Sequence, residues 1–539
     1  MRGHSCVEWP PQIGTRSTTA LRHGAKLRGA PRLFLLAFAV PKMKRTRSNL
    51  IVPSTTLAVV DLGSNSFRLE IGRVEGDQIY RLDTWRETLR FGAGLDAQDR
   101  IKPSAKKAAL ECLARFRERL TGLHPSAVRA VATNTFRVAK NAREFLPLAE
   151  KTLGFPIDVI GGHEEARLIY LGAAHELPRS LEPRLIVDIG GGSTEFIIGR
   201  GLEPERLESL KIGCVGLTQR YFPYGRLSEE AFAAAETAAR VEIEPITREF
   251  GPSHWREAFA SSGTAAALAE ILEQNGFSGG GITPAGLARL RKRMIAARHI
   301  SRVSLRALKL ERAPVLAGGL AIMIAAVDEL KIERIDPVGG ALRLGVLYDL
   351  LGRTIDADVR GVTVERFIDR YAVDRAHAAR VAALAVALYR RTLPDSVNGI
   401  QLVEWAARLH EIGMSVSHIG FHKHGAYILQ NGDMPGFSAG DQSHLALLVF
   451  GCRGGLDKMQ PALGDARRRA QLLALRLAVL FHHARAAIDL PRIRLKVARR
   501  ISLDVPPRWL AAHPLTAHLL DKEREEWADL GYRWKSLGN

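Results

Sequence analysis

One pattern occurs twice in this chain, and it restricts the possible folds more than any other feature of the sequence. The first copy, VVDLGSNSFRLEIGR, starts at Val59, and the second, IVDIGGGSTEFIIGR, starts at Ile186. Aligned, they match Asp61 with Asp188, Gly63 with Gly190, Ser66 with Ser193, Gly72 with Gly199 and Arg73 with Arg200. Each copy reads as a strand closed by an aspartate, a small-residue turn and a second strand. The spacing between copies is too long for a solenoid and suits a duplicated domain, so two hairpins are expected to face each other across a cleft. In the second copy, Gly190, Gly191 and Gly192 carry no Cβ and let backbone N–H groups approach a phosphate closely. Ser193 and Thr194 add hydroxyls, while Asp188 and Glu195 add two carboxylates. Hard oxygen donors beside a phosphate cradle are what magnesium prefers, so a divalent metal is expected here.

Strand and helix patterns alternate around the repeat, as in an α/β protein. Val128 to Thr133 reads as a strand ending in Asn134, Thr135 and Arg137, at the carboxyl end where ligands of such sheets gather. Ile157 to Gly162 is a further strand, followed by His163, Glu164 and Glu165 at the start of a helix. Acids there complement the helix dipole, and either carboxylate could equally deprotonate a water. Helical register alone does not choose between them. Ala258 to Ala265 reads as a strand breaking at Ser261, Ser262, Gly263 and Thr264, either a phosphate or ribose contact or a plain N-cap. Val315 to Met323 and Pro337 to Gly345 are expected to repeat that theme, with Gly318, Gly319, Gly339 and Gly340 at turns before helices.

Beyond about residue 354 the pattern turns helical, with strand signal returning only at Ile493 to Val505. His377, His410 beside Glu411, His418, His422 and His424 invite comparison with metal-dependent HD phosphohydrolases. That site needs Asp where this chain has Glu411, so a structural role is expected for these histidines. Residues 1–48 hold many Arg and Lys but one acid, Glu8, and are expected to be disordered. Their apolar run from Leu33 to Val40 is too short for a bilayer, which takes about 20 residues; Met43 is an alternative start. The 539 residues, 46% hydrophobic, suit a soluble protein of several domains. Cys6, Cys112, Cys214 and Cys452 are scattered with no CxxC spacing, so neither a zinc knuckle nor a disulfide framework is indicated, and a reducing cytoplasm fits best. The net charge of +20 favours polyanionic partners, though no specific nucleic acid.

With these pieces placed, the chain resembles the exopolyphosphatase and guanosine pentaphosphate phosphohydrolase family. The resemblance runs from about Leu57 to the C-terminus. It is carried by DLGSNSFR at Asp61 to Arg68, EEARLIY at Glu164 to Tyr170, DIGGGSTE at Asp188 to Glu195, LHEIG at Leu409 to Gly413 and AYILQNGDMPGF at Ala426 to Phe437. It implies two actin-like, ribonuclease H-like α/β domains (50–169 and 170–350), a mainly helical HD-like domain (354–490) and a small C-terminal unit (491–539). It implies a magnesium-dependent hydrolase releasing terminal phosphate from inorganic polyphosphate or from the pentaphosphate alarmone, pppGpp. A cytoplasmic homodimer is expected, with peripheral attachment to the inner membrane as the alternative location. Carried over by position, the general base falls on Glu165 and the metal-associated carboxylates on Asp188 and Glu195. The phosphate-loop positions fall on Gly190, Gly191, Gly192 and Ser193, and on Ser64, Asn65 and Ser66. Arg68, Asn134, Thr135, Arg137, Ser262, Gly263 and Thr264 complete the expected substrate contacts. Leu344 departs from the family pattern, standing in GALRLG where an acid is expected.

Of the two substrates, polyphosphate is favoured by the unbroken glycine run and by the basic balance, since a long polymer reaches distributed charge that a nucleotide cannot. Three rival classes make distinct expectations. An actin-like kinase would turn over ATP, a polyanion-binding module would release no phosphate, and an HD-type hydrolase would place activity in the helical half.

Overall fold

The computed structural model describes residues 56–75, 78–178, 180–354, 358–392, 397–497 and 500–536; the basic segment 1–48 lies outside them. Both copies of the repeat form antiparallel hairpins, because runs of β-branched residues flank turns of small ones. Strand β1 (Thr56–Leu62) pairs with β2 (Phe67–Glu75), which pairs with β3 (Gln78–Glu87). On the other edge of β1, β4 (Val128–Ala132) and β5 (Ile157–Val159) join in parallel. The second sheet repeats this arrangement with β6 (Arg184–Ile189), β7 (Thr194–Arg200), β8 (Glu203–Leu210), β9 (Glu257–Ser261) and β10 (Asp336–Val338). The orders are β3-β2-β1-β4-β5 and β10-β9-β6-β7-β8, the same path written from opposite ends. Even the irregularity repeats: register slips between Ile71 and Gly72 in β2, and between Ile198 and Gly199 in β7, which are matching positions. These are the two halves of an actin-like fold.

Two helices, Gly162–Glu176 and Leu342–Thr354, pack in the layer between the sheets. They bury Leu168, Ile169, Val346 and Leu347 against Val59 of β1 and Ile186 and Ile197 of the second hairpin. Their crossing is backbone on backbone, since a Cβ on Gly345 would lie only 1.7 Å from the Leu168 carbonyl oxygen. Val315 to Met323 is not a strand and turn but the interior of the Ala313–Glu329 helix. Gly318 and Gly319 there face Thr218 and Thr264 closely instead of marking a turn.

The C-terminal half is a helical bundle around Val381, Val403, Leu445, Leu473 and Phe481. The helical pattern beyond about residue 354 opens with two helices, Val359–Arg370 and Arg375–Arg390, divided where Asp374 caps the second by accepting from the His377 N–H. A small sheet, β11 (Arg494–Val497), β12 (Arg500–Asp504) and β13 (Arg533–Ser536), closes the chain. Its Leu495 and Ile501, with Trp527, belong to the same buried cluster as the bundle. Among the described residues, no helix is long and apolar enough to cross a membrane.

Candidate active site

The turns of the two hairpins meet. A Cβ on Gly191 would lie 3.1 Å from Ser64 Cβ, and one on Gly192 would lie 2.6 Å from Asn134 Oδ1. Only residues without side chains allow so close an approach. The cleft beside them, about 300 Å³, is lined by Ser64, Asn65, Ser66 and Arg68 of the first hairpin and by Asp188 and Gly190 to Ser193 of the second. Glu165, Ser262, Gly263 and Thr264 line it as well. Ser262 also caps its helix, accepting from the Ala265 N–H at 3.0 Å, so the capping and cleft readings of that turn are both met. Asn65 Oδ1 is buried with no partner, leaving a polar atom at the wall that a bound group would satisfy.

The adjacent acids of the Gly162–Glu176 helix have different surroundings. Glu165 opens onto the cleft and accepts from Arg137 at 2.7 Å; the same guanidinium donates to the Ile160 carbonyl at 2.9 Å, which fixes both groups. Glu164 faces away. It accepts two bonds from Arg167, at 2.7 and 2.8 Å, and one from the Gly436 N–H of the helical half at 2.8 Å. Asp349 completes this buried network by accepting from Arg167 and Arg129. Beside it, His163 Nδ1 lies 2.7 Å from Asp433, in the same loop as Gly436.

Four buried carboxylates gather at or behind the cleft: Asp61, Glu165, Asp188 and Glu195. Burial is the main reason each is pushed above the ordinary carboxylate range, Asp188 to about 7. Mutual repulsion adds to it, with Glu165 and Asp61 acting on Asp188, and Glu165 and Asp188 acting on Glu195. Arg137 works the other way on Glu165. Facing them, burial and the neighbouring Arg343 draw the Arg68 guanidinium down to about 10, and burial and Arg86 lower Arg312. Buried cations and buried carboxylates stand together in the cleft, Asp61 being paired with Arg68 across β1 and β2, and burial opposes the charged form of each. An anion with a hard cation relieves both.

Several expected contacts stand behind the wall instead of in it. Asn134 abuts Gly192, Thr135 donates to Ser64 Oγ at 2.8 Å, and Arg137 holds Glu165. Glu195, paired with Asp188 across β6 and β7, accepts from Ser209 at 2.9 Å and is 1% exposed. The cleft also gains residues that the sequence reading left out of the site, Asp61, Arg312 and Arg343. Asp61 was legible, as the partner of Asp188 in the repeat. Arg343, 3.7 Å from Asp61 and bonded to Glu70, lies next to Leu344 in GALRLG; Leu344 itself does not line the cleft. Arg312 carried no signal, because it precedes a helix in a segment without a motif.

The profile of the Ppx/GppA phosphatase family matches residues 71–354, and that of Ppx/GppA phosphatase, domain III, matches residues 359–524. A guanosine-5'-triphosphate,3'-diphosphate pyrophosphatase of Pseudoalteromonas translucida (strain TAC 125) is 38% identical over 490 residues, spanning 89% of this chain and 98% of its own. Among solved structures, an exopolyphosphatase from Cytophaga hutchinsonii aligns with a TM-score of 0.50 at 24% identity, over 55% of this chain and 98% of that one. An exopolyphosphatase-like protein gives 0.50 at 26% identity, over 56% and 99%. The fold of the first two domains, the helical half behind them and the sequence match to both therefore agree: the chain belongs to the Ppx/GppA phosphatase family, and is a phosphoanhydride hydrolase of that family.

Proposed function

We propose that this enzyme removes the 5′-terminal phosphate of pppGpp by attack of water, giving orthophosphate and the tetraphosphate. The observation that carries this is the match to the Pseudoalteromonas protein over nearly its whole length, together with that protein's name. The argument for polyphosphate from Gly192 is weaker than the sequence suggests. A side chain there would meet Asn134 and Ser64, so packing of this turn against the first domain already accounts for the glycine without a polymer lying on it. Polyphosphate is kept as the second reading because the chain carries a net charge of +20.

In either case the chemistry is the same. Glu165 accepts a proton from the attacking water, and its raised basicity suits that task. The water oxygen bonds to the terminal phosphorus as the anhydride bond breaks, and the leaving oxygen takes the shared electron pair. The Gly190 N–H is committed to the Ser193 carbonyl, so the backbone N–H groups of Gly191 and Gly192, with Arg68, hold the negative charge that develops. Asp188 and Asp61, supported by Glu195, supply hard oxygens suited to magnesium, which when bound would neutralise phosphate charge. The test is kcat/KM for pppGpp and polyphosphate at one salt concentration. A pppGpp value at least about tenfold higher, 1.4 kcal/mol in transition-state binding, is expected. The reverse ratio makes the enzyme an exopolyphosphatase.

A further inference from the structure

Far along the chain from the cleft, the helical half brings together three buried groups with no part in the reaction above. His377 sits in the first turn of the Arg375–Arg390 helix, and His410 and Glu411 follow the end of the Val397–Leu409 helix. They are 3%, 1% and 8% exposed. One ligand atom from each lies within 4.8 Å of the others, and among the described residues this is the one such group. His377 Nε2 and His410 Nε2 stand 3.7 and 3.9 Å from Glu411 Oε1, too far for hydrogen bonds. Ligands about 2.0 to 2.1 Å from a tetrahedral zinc stand about 3.4 Å from one another, so a small inward movement suffices.

Ring orientation agrees. The Ala407 carbonyl, 2.7 Å from His410 Nδ1, can only accept, so that nitrogen carries the proton and Nε2 keeps its lone pair for the centre of the group. Such an outer hydrogen bond is how proteins orient metal-bound histidines. His377 Nδ1 is buried without a partner. A cavity of about 490 Å³ adjoins all three residues and leaves room for a further ligand. The cation already in contact with Glu411 is Arg485, which donates to it at 2.9 Å from a half-exposed position and so competes for the same carboxylate.

We propose that His377, His410 and Glu411 bind a divalent transition metal such as zinc, with the next coordination position open to the cavity. Two imidazoles and one carboxylate suit that class better than magnesium, which the all-oxygen cleft suits. The test uses the full-length protein, stripped by chelator and titrated with Co²⁺ and with Zn²⁺ alone. One equivalent of Co²⁺ should give the visible absorption of a low-coordinate site, displaced by Zn²⁺. His410→Ala and Glu411→Gln should lose it, and Asp188→Asn should keep it. Arg485→Ala should tighten Zn²⁺ binding about tenfold, because a charge-assisted competitor is gone; a gain cannot come from misfolding. Equal Co²⁺ spectra for wild type and both loss variants, or an Arg485→Ala affinity no higher than wild type, would overturn the assignment.

Discussion

Glu165 is the residue on which turnover should depend most. Glu165→Gln keeps its shape and its bond from Arg137 but cannot accept a proton, so kcat should fall by about 10² to 10⁴ with little change in substrate binding. A variant retaining half of wild-type activity would remove Glu165 from its role. Sequence could not choose between the two acids by register, and family position chose; the structure supplies the physical distinction, because Glu164 is spent on Arg167 and Gly436. Glu164→Gln should therefore lower the melting temperature. Asp188 makes the opposite case. Its folded value of about 7 exceeds the ordinary 3.8, so the native state binds more protons than the unfolded one, and stability falls as pH rises between those values. Asp188→Asn should melt higher than wild type at pH 8, by on the order of 2 to 4 °C, with a smaller gain at pH 5. It should also lose activity. A lower melting point at pH 8 would show that the buried charge is not the strained group.

At the scale of elements, the hairpins and their flanking helices were legible because β-branched runs, small-residue turns and helix-start acids all pointed the same way. The Ala313–Glu329 helix was not. Its centre, VLAGGLAIM, is apolar throughout, and a helix buried on every side has no period to separate it from a strand and a glycine turn. Cleft residues were legible where a motif carried them and hidden where only packing did, as at Arg312. The contact between the two turns leads to a prediction about Gly192→Ala. The added methyl meets Asn134, just after β4, and Ser64 of the first hairpin, both groups of the protein scaffold, so kcat/KM should fall by similar factors for pppGpp and polyphosphate. Were the methyl to spare pppGpp and penalise only polyphosphate, the glycine would belong to polymer recognition after all.

For the whole molecule, the loop from Gly432 to Phe437 matters most, because it reaches from the helical half to the start of the helix that carries Glu165. Its motif was visible in the sequence, but its partner was not, since nothing local pairs Asp433 with His163. The bond to Asp433 is the main cause raising the His163 imidazole above its usual range, despite burial. A raised histidine contributes stability in full below its unfolded value of 6.5 and loses it as pH rises through the folded value. Asp433 itself is lowered, mainly by the same bond, so its contribution fails only at acid pH. Asp433→Asn should accordingly reduce the melting temperature at pH 6 and leave it unchanged at pH 9. An equal loss at both would mean that the contact is not ionic.

The hydrogen bond from Gly436 to Glu164 joins the helical half to the residue next to the base. If a ligand of the helical half that shifts this loop alters the cleft's affinity for substrate, a filled cleft alters the affinity for that ligand by the same factor. A messenger could thus be sensed from either end, by titrating it against substrate or substrate against it, and the two experiments must return one coupling constant.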